Sequence, residues 1–373
     1  MRSEGGYMTC KGSDYVTKFV LSWWLCGGGI TLWGSANAQG DAPQVFAVSE
    51  PPAPVLPSDP PTGLIFRQPY DLSSAAPTFD ASGMAGVPLS LEYLRFDNAG
   101  NGYVTFHDGT DVPGSGGVLF IDNLIAREGR TFYASRDYLI TGAKAGLAGP
   151  RDLAVADSLG ILVVADFAEA DIKVFDLDAE GDTAPLFVTS ELGVTTAGDP
   201  RKAWGLSFDD SNDRLFVAAT DGTVLVYDHY LVNQGKGGPD RVVAPTVEGA
   251  KASANLHGIS YLANQDALIL SDVGAATTAD EPGFDTDGKL FILEDASTAE
   301  GDTEVKSQIS GVNSLLGNPV GVAFHGNDLY VAEKATNLVL RFDDVLDLSG
   351  VTDLSPNGAV TVTAPESVVL AQE

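Results

Sequence analysis

One phrase returns along this sequence: an apolar run, a short turn rich in Asp, Asn and Gly, and a second apolar run. Residues 151–155 lead through 157–160 into 161–166, and 204–208 lead through 209–213 into 215–219. Further copies pair 257–261 with 268–272, and 320–324 with 329–333, while a weaker one pairs 89–93 with 103–106. Each phrase reads as a β-hairpin, because β-branched and aromatic runs favour strands and the intervening residues tolerate turn geometry. A third apolar strand follows each time, at 118–122, 172–176, 224–228, 290–294 and 338–343. A fourth, more polar strand is expected at 184–189, 241–246, 303–309 and 359–363. Repeats at intervals of about 53 to 63 residues, each with four strands and a polar outermost one, predict a closed ring of blades. The expected fold is all-β, a single β-propeller of five or six four-stranded blades. Five phrases are visible, and the length fits either number. Residues 63–68 are expected to close the ring by pairing with 367–371. An open sandwich gives no reason for such regular repetition.

The first forty residues have a different character. Lys11 and Lys18 precede an apolar run over 19–33, and Ala36-Asn37-Ala38 supplies the small-x-small pattern of a cleavage site. The run is shorter than the roughly 20 residues that span a bilayer, and Gly27-Gly28-Gly29 interrupts it. The expectation is a signal peptide over 1–38, cut before Gln39, with export to the periplasm or the extracellular space and no stable membrane span afterwards. Both cysteines, Cys10 and Cys26, fall in this segment, so the exported chain carries no disulfide and no thiolate metal site. Seven prolines between Pro43 and Pro61 predict an extended linker over 39–63, leaving 64–373 as the propeller domain. A net charge of −30 argues against nucleic acid as a partner, since phosphate backbones are repelled.

The phrases Gly149-Pro150-Arg151-Asp152-Leu153 and Val164-Ala165-Asp166, followed by Val174-Phe175-Asp176, resemble those of NHL-type and gluconolactonase-like (SMP-30) propellers over about residues 87 to 366. The resemblance implies the fold. In the gluconolactonase-like relatives it also implies a divalent cation held by acidic and amide residues at the starts of the inner strands. Here those positions are read as Leu89, Arg151, Trp204, His257 and Val320, so the metal site of those relatives is not expected.

The hairpin register brings the start of each first strand and the end of each second strand to one edge of the sheet. If the first strands line the channel, Arg151, Trp204 and His257 meet at one mouth as candidate ligand-binding residues. Asp166, Asp272 and Glu333 end the neighbouring strands and are candidate ligands for a hard cation, or caps for local backbone donors. Asp285 and Asp287, in Gly283-Phe284-Asp285-Thr286-Asp287-Gly288-Lys289, resemble a fragment of a calcium loop but lack the later bidentate Glu. Calcium is the one cofactor the sequence suggests. His257 is the candidate catalytic base. No phosphate-binding glycine loop, zinc-spaced cluster or nucleophile elbow occurs. The leading expectation is an exported binding or scaffold propeller that holds a protein, glycan or small molecule at its channel mouth. The alternative is a metal-dependent hydrolase, lactonase or lyase with His257 near the reacting group. A quinone-dependent oxidoreductase would share only the fold.

Overall fold

The computed structural model describes residues 43–49, 63–81, 90–127, 131–276 and 278–371. The segment expected as a signal peptide lies outside the described residues. The regular secondary structure of the described residues is almost entirely strand, arranged in six small sheets. Gln44–Ser49 (β1), Leu64–Gln68 (β2) and Ala76–Asp80 (β3) begin the first blade. Ser90–Phe96 (β4), Gly102–His107 (β5), Gly117–Ile121 (β6) and Tyr138–Thr141 (β7) form the second. Pro150–Ala156 (β8), Ile161–Asp166 (β9), Asp171–Asp176 (β10) and Phe187–Thr189 (β11) form the third. The fourth holds Ala203–Asp209 (β12), Arg214–Ala219 (β13), Thr223–Asp228 (β14), Arg241–Val247 (β15) and the short Ala250–Lys251 (β16), with one helical turn, Tyr230–Asn233 (α1). In the fifth, Leu256–Leu262 (β17), Ala267–Asp272 (β18) and Lys289–Leu293 (β19) are followed by Gly301–Glu304 (β20) and Ser307–Ile309 (β21). The sixth comprises Pro319–His325 (β22), Asp328–Glu333 (β23), Leu338–Phe342 (β24) and Gly358–Thr361 (β26), with Gly350–Thr352 (β25) in its last connection.

The final strand, Pro365–Ala371 (β27), returns to the first blade as its innermost strand, giving the order β27-β1-β2-β3. Two expectations change here. Six blades replace the open choice of five or six. The strand that pairs with the C-terminus is β1, with Phe46 opposite Val369, and β2 sits one place further out. The linker expected over 39–63 therefore contains a buried strand.

Six apolar clusters hold the ring together, one in each seam between blades. The period-2 alternation of a strand explains how one blade serves two seams. In β13, Leu215, Val217 and Ala219 face the third blade, while Phe216 and Ala218 face the fifth. Middle strands are thus apolar on both sides, which is why their sequences read as unbroken apolar runs.

The outer edges are joined differently. In four seams the connection before a blade's fourth strand reaches back and pairs in parallel with the outer strand of the preceding blade. The pairs are β15 with β20, β21 with β25, and the single bridges Asp80 to Thr131 and Ile140 to Gly181. These pairings occupy edges that would otherwise offer free backbone groups to other chains.

Candidate binding site at the channel mouth

The six inner strands β27, β4, β8, β12, β17 and β22 all break register near their first residues. A bulge of this kind re-aims the side chain it carries. The bulged positions hold Glu92, Arg151, Trp204, His257, Val320 and Glu366, one from each blade. Arg151, Trp204, His257 and Val320 thus stand where the sequence placed them. The second blade's contribution is a correction: its bulge residue is Glu92, three positions beyond Leu89, which lies outside the described residues. Glu366 is the sixth, supplied by the returning C-terminal strand. Gly205 sits just behind Trp204 because the next inner strand comes very close: a Cβ there would lie 2.0 Å from the carbonyl oxygen of His257.

Arg151, Trp204 and His257 come together in ring order. The imidazole of His257 stacks on the indole at 3.6 Å between centroids and 10° between planes. The Arg151 guanidinium carbon lies 4.7 Å from the Trp204 ring centroid, and Phe167 meets the indole edge-on at 5.2 Å. Arg151 also pairs with Glu92, which is 1% exposed and lies 2.7 Å from His107 Nε2. The Gly109 N–H donates to His107 Nδ1 at 3.0 Å, leaving Nε2 to donate to Glu92. Glu366 pairs with Lys334. Both carboxylates that the bulges bring to the mouth are therefore matched by a cation. Burial, reinforced by Arg151 and then Lys334, holds the pKa of His257 well below its ordinary value, so the imidazole is neutral.

Asp166, Asp272 and Glu333 are placed at the ends of β9, β18 and β23 as expected, but they face the backbone. Asp166 accepts from the Ala148 and Gly149 N–H groups, both at 2.9 Å, and from Lys173 at 2.9 Å. Asp272 accepts from Ala254 at 2.7 Å and from Asn255 and Gly274 at 2.9 Å. Glu333 accepts from Gly317 at 3.1 Å, Asn318 at 2.9 Å and Ala335 at 3.0 Å. Each carboxylate ties down the loop that enters its own blade. Burial pushes the Asp272 carboxyl up, and pushes that of Glu333 up to about 7. Asp287 accepts from Ala275 at 2.8 Å and Ala276 at 3.2 Å, folding its loop on itself, while Asp285 is exposed on the same loop. Among the described residues no three His, Cys, Asp or Glu side chains converge as a metal-binding group.

The mouth encloses a cavity of about 710 Å³. Its walls include Phe167, Trp204, Val273, Phe284 and Val320, with Thr220, Asn255, His257, Thr278, Asn318, Lys334 and Glu366 supplying polar groups. Three buried polar atoms of this lining, Trp204 Nε1, His257 Nδ1 and the Asn255 side-chain carbonyl, have no hydrogen-bond partner among the described residues. Tyr93, on the inner strand of the second blade, donates from its hydroxyl to the Val320 carbonyl of the sixth.

Several lining residues escape a reading of single motifs. Phe167, Thr220, Val273 and Lys334 each follow the last residue of a second strand, forming another ring at the mouth. Their signal is positional: each lies one residue past the same point of the repeat.

The fold and the mouth define a class, the six-bladed β-propeller with an aromatic-walled cavity at one end of its channel. A chain in the crystal structure of a nidogen/laminin complex is similar to it, with a TM-score of 0.57 at 15% identity, covering 88% of this chain and 98% of that one. A structure named "putative 6-phosphogluconolactonase" from Bacteroides fragilis gives 0.54 at 13% identity, with 89% and 98% covered. Its namesake from Bacteroides uniformis gives 0.53 at 12% identity, with 89% and 100% covered. At these identities the likeness is one of fold. No protein-family model and no curated protein sequence matches the chain.

Proposed function

We propose that this protein is a binding propeller that holds a small molecule in the cavity at its channel mouth. One observation carries the reading. Buried polar atoms are nearly always hydrogen-bonded in folded proteins, yet Trp204, His257 and Asn255, three residues that line one apolar-walled cavity, each keep a buried polar atom with no partner among the described residues. A few polar residues in an apolar-walled concavity are the usual makings of a small-molecule site, and about 710 Å³ lies within the usual range. The ion pairs Arg151–Glu92 and Lys334–Glu366 fix the rim, so the site is preorganised.

A hydrolytic reading of the same mouth draws on the neutral imidazole of His257 as its candidate base. One experiment separates the readings. The purified protein is incubated with a total small-molecule extract, passed through gel filtration and denatured, and the released compounds are read by mass spectrometry. A compound retained near stoichiometry and recovered unchanged supports binding. Recovery with the elements of water added supports hydrolysis. A Thr220→Trp variant fills the mouth from a half-buried position and should retain nothing while melting at the same temperature. Equal retention by the variant, or none by either protein, overturns the proposal.

A further inference from the structure

Resting on that binding reading, we infer that the mouth takes an uncharged ring compound and that it excludes ions of either sign. The charges around the cavity point this way. Of its thirteen lining residues only Lys334 and Glu366 are charged side chains, and they pair with each other. Just outside, Glu92 is engaged by Arg151 and His107. Lys202 lies 4.3 Å from the Phe167 centroid and is not part of the lining. Asp272 and Glu333 beneath the walls are spent on backbone N–H groups.

Among the described residues, a cation entering the cavity would find no uncompensated carboxylate. An anion would find no free cation in the lining, and it would approach a protein whose net charge is −30. Either ion would lose its hydration without a counter-charge, which is costly in an apolar enclosure. A neutral ring loses little by entry and gains the apolar walls of Phe167, Phe284 and Val320. His257 fits the same picture. It is 6% exposed, lines the cavity, and presents an imidazole that carries no charge and an Nδ1 with no partner among the described residues. One face of Trp204 is covered by His257, so that face is not open to a stacking ligand.

Three flat, near-isosteric probes carry different charges: benzamide none, benzoate negative and benzamidinium positive. The readout is ¹⁹F NMR of the full chain labelled with 5-fluorotryptophan. Trp204 is the only tryptophan beyond Trp33, and the Trp204→Phe variant assigns its resonance. Benzamide should move that resonance with a dissociation constant at least ten-fold lower than those of benzoate and benzamidinium. An Asn255→Asp variant keeps the shape and adds a carboxylate, and should reverse the order in favour of benzamidinium. If either ionised probe binds wild-type protein as tightly as benzamide, or Asn255→Asp leaves the order unchanged, the inference about charge fails while the binding reading stands. If none of the three moves the Trp204 resonance, the binding reading itself fails.

Discussion

His257 is stacked at 3.6 Å on an indole, is almost wholly buried, and lies in the field of Arg151 and Lys334. Burial opposes a charge on the ring most strongly, and Arg151 and then Lys334 add to it, so the neutral form persists well below the usual midpoint of 6.5. In the folded protein its Cε1–H resonance should stay unchanged from pH 8 to pH 5. Trp204→Ala uncovers one face of the imidazole and admits water, and should bring the midpoint back toward 6.5. A wild-type ring that titrates near 6.5 would show that the stack and the burial do not govern it. The same residue shows how a site becomes legible. Its place at the mouth follows from the repeat register alone, whereas its neutrality comes from burial between blades, with Arg151 and Lys334 adding to it from two others.

Each inner strand spends its first residues on a bulge, and that bulge is where the fold makes the site. The glycine behind Trp204 is tied to this geometry, since a methyl group at Gly205 would meet the next inner strand at the His257 carbonyl. Gly205→Ala should therefore cost about 1–3 kcal/mol, the range for overpacking a tight interior. It should also displace His257 and broaden the Trp204 resonance. Gly160→Ala is the control: it sits at φ 65° in the β8–β9 hairpin with open space around it, so it tests left-handed strain without crowding. Equal losses in denaturant melts would mean that contact with the next blade is not what selects glycine at 205. The bulges also explain where sequence reading stops. Middle strands announce themselves because both faces are buried, and four of the five phrases fall into register for that reason. In the second blade, Leu89 and Leu91 make a plausible alternation, and only the bulge at Glu92 and Tyr93 shifts the register by three. β1 is hidden because Gln44–Ser49 is a six-residue proline-free window inside a proline-rich stretch. Glu366 escapes because its blade is assembled from both ends of the chain.

Over the whole molecule, buried acids and surface charge act on stability in the same direction. Burial raises the carboxyls of Asp152 and Asp171 to about 6 and that of Glu333 to about 7, and it raises Asp272 as well. A folded-state pKa above the unfolded one means that the folded chain holds a proton the unfolded chain has released. Stability therefore falls as pH rises from the ordinary carboxylate range through 6 and 7. Each group contributes at most about 1.4 kcal/mol for every pH unit between its unfolded and folded midpoints. His257 works the other way below 6.5, one group against these four. Asp137 and Asp228 are held low by arginine partners, and Asp108 and Asp266 by hydroxyl and backbone donors. Their contributions are present above the ordinary carboxylate range and are lost only as pH falls below it. The surface adds self-repulsion from a net charge of −30, which also eases on acidification. The melting temperature should then be highest near pH 5 and fall toward pH 8. Salt divides the two causes, because about 0.5 M NaCl screens exposed charges but reaches buried ones poorly. Added salt should raise the melting temperature at pH 8 more than at pH 5, and a decline from pH 5 to pH 8 should persist at high salt. A flat profile at high salt would assign the whole effect to the surface and leave the buried carboxyls without the proton affinities their burial implies.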